Sequence, residues 1–119
     1  MGRLFCERLK SHAYCCANCG CQIAQCEELV STQFHCKNGR AYLFHYVANV
    51  RLGPREERLM TTGPHIVRNT FCSQCMYLVG WKYEEARCMN QKYKEGKYIL
   101  ERSKMIAGEM EESEDEGDD

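Results

Sequence analysis

Cys16-Ala17-Asn18-Cys19-Gly20 and Cys72-Ser73-Gln74-Cys75 are the two stretches on which the reading of this sequence turns. A Cys-x-x-Cys turn lets two thiolates converge on one ion, and Gly20 relieves the backbone just after the second sulfur. Two such knuckles complete a tetrahedral four-thiolate shell, the closed geometry of a structural zinc site. Cys16, Cys19, Cys72 and Cys75 are the ligands this predicts, with one Zn2+ per chain. Between Cys19 and Cys72 lie 52 residues, so the ion would tie nearly half the chain at its base. A thioredoxin-like redox pair has the same spacing, but it sits at a helix start after a strand. Neither knuckle has a helical run behind it.

Around the knuckles the chain has 119 residues, 44% hydrophobic and 28% charged, with ten cysteines and two prolines. That is enough for one modest core and not two. No apolar run reaches the roughly 18 residues of a membrane span, and the first residues lack the apolar core of a secretory signal. Without an export signal, ten cysteines point to metal ligation, catalysis or small buried hydrophobes rather than disulfides. Cys15, Cys21 and Cys26 crowd the first knuckle, as substitute ligands or as a shield. Cys6, Cys36 and Cys88 show no partner, and a buried or tolerated thiol is the default for all six.

Charge divides the chain. Residues 109–119 hold eight acids and no base, which leaves nine acids against sixteen lysines and arginines before them. The body is therefore +7 and the tail −8. With Met110 as its one apolar residue, the tail is expected to be disordered, a solubilising appendage or an intramolecular screen of the basic body. Ser113 among its acids fits an acid-directed kinase site. This gives a lead-in over 1–11, a zinc-binding domain over 12–108 and an acidic tail over 109–119.

The body reads as β-structure. Residues 39–50 are rich in aromatic and β-branched types, between turn signals at Asn38-Gly39 and Gly53-Pro54. Residues 65–71 lead into the second knuckle as a strand, and 76–84 leave it as another. Residues 96–102 form a last strand, and no segment shows a long 3.6-residue period. The fold class expected is all-β and antiparallel, with metal at one end.

Several of these stretches resemble the Yippee-like proteins. They are the first knuckle, Gly39-Arg40-Ala41-Tyr42-Leu43-Phe44, Glu56-Glu57-Arg58 with Thr62-Gly63-x-His65, the second knuckle, Gly80-Trp81-Lys82-Tyr83-Glu84 and Gln91-Lys92-Tyr93-Lys94-Glu95-Gly96-Lys97. The likeness runs from about residue 12 to about 106. It implies a β-tent of two antiparallel sheets with zinc at the apex, held by Cys16, Cys19, Cys72 and Cys75. It also implies a protein of nucleus and cytoplasm connected to cell-division or growth control, with some relatives attached to a multisubunit ubiquitin ligase.

Three classes of function follow. A closed four-thiolate shell has no open position for water or substrate, so the first is a non-enzymatic protein-interaction module held together by zinc. The second is a pocket for a small ligand or a peptide end, because the β-tent is shared with the ligand-binding domain of cereblon. Trp81 resembles one wall of that aromatic cage, with His65, Tyr42, Phe44 and Tyr83 as candidate neighbours. Val67 stands where another cage tryptophan is expected. The third is a methionine sulfoxide reductase, whose nucleophile segment Arg87-Cys88-Met89-Asn90 resembles, although that family's glycine–histidine–aromatic motif is missing. Nucleic-acid binding by the basic body rests on Lys92, Lys94 and Lys97 at one turn and Arg51, Arg55 and Arg58 at another. The absence of an interleaved stacking series weighs against it.

Overall fold

The computed structural model describes residues 12–107. Cys6, Ser113, the lead-in and the acidic tail lie outside those residues. Among the described residues nine strands follow in chain order: β1 (Ala13–Cys16), β2 (Gln22–Gln25), β3 (Leu29–Cys36), β4 (Gly39–Phe44), β5 (Val50–Met60), β6 (Gly63–Cys72), β7 (Leu78–Ala86), β8 (Tyr98–Glu101) and β9 (Met105–Ala107). Short 3-10 turns occupy Cys26–Glu28, Met89–Lys94 and Arg102–Lys104. The strands form two antiparallel sheets, a small one ordered β2-β1-β9 and a large one ordered β3-β4-β8-β7-β6-β5.

Both sheet faces of the central strands are covered, which sets the layering. Strand residues alternate faces with a period of two. In β4, Tyr42 and Phe44 point one way, into a cluster with Cys16, Ile23, Val47, Cys72, Val79, Leu100 and Met105. That cluster is the core between the two sheets. Ala41 and Leu43 point the other way and pack with Val67, Tyr83 and Ile99. Strands β4 and β8 are therefore buried on both sides, and Leu43, Phe44, Ile99 and Leu100 are each almost wholly inaccessible.

Two turn signals turn out to have other uses. The run 39–50 is not one strand: β4 ends at Phe44, and the chain crosses to β5 through Asn49, whose φ is +58°. Gly53-Pro54 does not end a strand. It sits inside β5, where the pairing with β6 shifts register between Leu52 and Arg55. Proline lacks an N–H, and β5 is the outermost strand of its sheet, so Pro54 removes no central ladder bond. The register shift also leaves the Gly53 carbonyl free to accept Arg68 Nε at 2.7 Å. The strand expected to be last, over 96–102, ends at Glu101 and is followed by β9.

Candidate metal centre and the pocket beside Trp81

Each knuckle is a hairpin turn built the same way. The Cys16 N–H donates to the Cys21 carbonyl and the Gly20 N–H to the Cys16 carbonyl, both at 2.8 Å. In the second knuckle the Cys72 N–H donates to Tyr77 at 2.9 Å and the Met76 N–H to Cys72 at 2.7 Å. The residue after the second cysteine is left-handed in both, Gly20 at φ +82° and Met76 at +63°. Strand β1 thus ends in Cys16 and β6 ends in Cys72, so one knuckle belongs to each sheet. The Ser73 N–H donates to Asn49 and the Ala17 N–H to Lys104, tying both turns to their surroundings at 2.9 Å.

The four sulfurs converge within 4.8 Å of one another. Cys16 Sγ lies 3.7 Å from Cys75 Sγ and Cys19 Sγ lies 3.5 Å from Cys72 Sγ. A disulfide would bring sulfurs to about 2.0 Å. A tetrahedron with Zn–S arms of about 2.3 Å has edges of about 3.8 Å. The spacing fits four thiolates around one zinc ion and not two disulfides. Burial pushes the Cys16 and Cys72 thiols up and takes Cys19 to about 11. Burial also opposes ionisation of Cys75, yet hydrogen bonds from Asn18, the Tyr77 N–H and the neighbouring thiols draw it down to about 7. Four sulfurs this close give up their protons together only to a cation, so binding a dication releases protons. Cys15, Cys21 and Cys26 are outside the four-sulfur cluster, Cys15 and Cys21 buried and Cys26 half-buried.

A cavity of about 960 Å³ opens on the face of the large sheet turned away from the small one. Trp81 and Tyr83 line it, edge to face at 6.3 Å. His65 is fully buried beneath, 5.2 Å from the Tyr83 ring, with Nδ1 2.9 Å from the Gly63 carbonyl. Burial, together with the charge of Lys94, holds its imidazole below the usual range against the pull of that hydrogen bond. Tyr42 and Phe44 are not part of this site. They occupy the opposite face of β4, packed edge-on against Tyr14 at 5.8 and 5.7 Å. The period-two alternation that puts Leu43 toward Tyr83 puts its neighbours in the inter-sheet core.

Of the basic residues singled out, Lys94 alone is buried; Arg51, Arg55 and Lys92 are exposed and Arg58 and Lys97 partly so. Lys94 is 3% exposed and lines the cavity rather than facing solvent. Its Nζ sits 5.2 Å from the Phe34 and Tyr83 rings and 6.0 Å from Tyr93. Arg55 is paired with Glu84 and Glu85, Arg58 with Glu56 and Lys92 with Glu95. Arg58 also stacks on Trp81 at 5.8 Å. Cys88 is exposed at the start of the 3-10 turn Met89–Lys94. Sequence reasoning missed Lys94, Phe34 and Thr62 as pocket residues. No signal in the sequence marked them, because the 3-10 turn that buries Lys94 and the strand that brings Phe34 beside it are set by the fold.

Comparison with known proteins agrees with this architecture. The sequence profile of the family described as Yippee zinc-binding/DNA-binding/Mis18, centromere assembly matches residues 12–119. A yippee-like protein of Arabidopsis thaliana is 52% identical over 106 residues, covering 89% of this chain and 83% of the relative. Human protein yippee-like 4 is 50% identical over 93 residues, covering 78% of this chain and 73% of the relative. The crystal structure of the Mis18 'Yippee-like' domain superimposes with a TM-score of 0.67 at 13% identity, over 85% of this chain and 98% of that one. The paired knuckles, the two antiparallel sheets they join and these relatives together establish that the chain belongs to the Yippee-like family.

Proposed function

We propose that this chain is a non-enzymatic protein-interaction module stabilised by one structural zinc ion. In its fuller form the proposal makes it a nuclear and cytoplasmic subunit or adaptor of a ubiquitin ligase or of a cell-division or growth-control assembly. The observation that carries it is the four-sulfur cluster itself, with sulfurs 3.5 and 3.7 Å apart across the two knuckles. Four protein ligands fill a tetrahedral ion, so no position is left for water or substrate and the ion serves folding. The description of the matching family, which includes centromere assembly, supports an assembly role by analogy. That family description also names DNA binding. Here Arg55, Arg58 and Lys92 each lie within 3.3 Å of a carboxylate and Lys94 is buried, which favours a protein partner over a polyanion.

The test is quantitative cross-linking of the full chain in cells, with Cys72→Ser as the control that loses the zinc shell. Wild type is expected in defined complexes well above its own 13.9 kDa, with ligase or division-machinery subunits, and the variant is expected to lose them. Recovery of wild type as a free monomer would contradict the proposal. So would reduction of a methionine sulfoxide substrate by zinc-loaded protein and a dithiol, which would return Cys88 to attention.

A further inference from the structure

We infer that the cavity beside Trp81 binds a free carboxylate, carried next to an amide N–H and an apolar side chain as at a peptide C-terminus, with Lys94 as its counter-ion. The inference rests on the reading of the chain as a binding module and names the chemical group that is bound.

Lys94 carries the argument. It is 3% exposed, and among the described residues no carboxylate lies within ion-pairing distance of it. An isolated buried ammonium is costly unless something compensates the charge. Thr62 Oγ1, at 3.3 Å, takes one of its three N–H donors. The rings of Phe34, Tyr83 and Tyr93 offset part of the remainder through cation–π attraction. Burial still holds the Lys94 ammonium below the usual lysine range. An arriving carboxylate would supply the missing opposite charge.

The rest of the cavity matches the same group. Arg58, stacked over Trp81 and paired with Glu56 at 3.1 Å, closes the wall, so Lys94 is the charge left for a ligand. The acid that lines the cavity, Glu101, accepts from Asn38 Nδ2 at 3.1 Å, which orients it without supplying a counter-charge, so the site for a carboxylate is at Lys94. Among the lining residues, the Gln91 Oε1 acceptor has unused hydrogen-bonding capacity. Gln91 and Lys94 are three apart in the 3-10 turn and share one of its faces. A cation beside a free carbonyl acceptor is the complement of a terminal carboxylate beside its own amide N–H. Phe34 and Met60 give the apolar side chain a wall.

Trp81 is the sole tryptophan, so its fluorescence and its indole N–H resonance report on this cavity alone. Zinc-loaded protein would be titrated with N-acetyl-phenylalanine, with its C-terminal amide, and with a pentapeptide ending in phenylalanine and a free carboxylate. The free acids are expected to shift both signals, and the amide to bind at least roughly tenfold more weakly. Lys94→Met, checked for zinc content and cooperative unfolding, is expected to reduce acid binding to the level of the amide. Tighter binding of the pentapeptide than of the single residue assigns a peptide terminus as the source; the reverse order assigns a small acid with the same chemistry. Equal binding of acid and amide to wild type, or no response of Trp81 to any of the three at millimolar concentration, overturns the assignment even where Lys94→Met does not fold. Because wild type keeps its zinc throughout, such a failure leaves the cross-linking result of the module reading unaffected.

Discussion

Gly20 and Met76 hold the same place in the two knuckles, and their φ angles of +82° and +63° put both in the left-handed region. Glycine enters that region freely, whereas another residue gives up about 1–2 kcal/mol there. Space around Gly20 is open, with nothing within 4 Å of an added Cβ. Gly20→Ala should therefore cost about 1–2 kcal/mol, by conformation alone. Gly80 is constrained differently: an added Cβ would sit 1.8 Å from the Ile99 carbonyl oxygen, across the β7–β8 pairing. Backbone cannot yield as a side chain can, so Gly80→Ala should cost more than about 3 kcal/mol. Denaturant unfolding of the zinc-loaded variants ranks them, and equal costs would refute the steric argument. His65 gives a pH dependence. Its folded pKa is depressed, so between the unfolded value near 6.5 and the folded value the unfolded chain binds the extra proton. Stability is then unaffected above about pH 6.5 and falls as pH drops below it, by at most about 1.4 kcal/mol per pH unit. His65→Asn, in zinc-saturating buffer, should flatten that slope relative to wild type. At this scale the four sulfurs were legible, because spacing alone fixes a knuckle. Lys94 was not, because its burial depends on which way a 3-10 turn faces the large sheet.

Among the elements, the strands flanking the second knuckle were readable from their β-branched and aromatic content, and β6 and β7 lie over 63–72 and 78–86. Strands β2 and β9, of four and three residues, carry one β-branched residue each, Ile23 and Ile106, too little for a strand signal, and are held by the partner strand β1. Tyr42 and Phe44 were candidates beside Trp81 through the likeness to an aromatic cage, and residues 41–44 of β4 are all buried. A strand buried on both faces loses the alternation that would have shown which side each residue takes. Strand β9 separates packing from pairing. Met105 is 2% exposed in the inter-sheet core and Ile106, beside it, is 49% exposed. Met105→Ala should cost about 2–5 kcal/mol, and Ile106→Ala should stay within about 0.5 kcal/mol. Similar losses from both, measured by denaturant unfolding, would mean that β9 contributes through its ladder and not through the core.

For the whole molecule, the metal cluster joins what the hydrogen-bond ladders leave separate. The two sheets share no ladder; between them lie an apolar core and the four sulfurs, two from each sheet's knuckle. Structural zinc contributes an apparent ~10–16 kcal/mol in small domains, at or above the ~5–15 kcal/mol net stability of a typical domain. The metal-free chain should accordingly lose its sheets, and zinc affinity should fall as pH falls, since the thiolates must be deprotonated to bind. The two-sheet architecture was readable from strand content together with family likeness, and Trp81 and Tyr83 of the cavity through that likeness; the rest of its lining was not, because it comes from separate turns and strands that only the folded sheet brings side by side. Native mass spectrometry of the full chain before and after chelation, paired with far-UV circular dichroism, tests the central claim most directly. One zinc per chain, with the β signal collapsing on its removal and returning on its replacement, is the predicted result. A metal-free chain that keeps its sheets would contradict it.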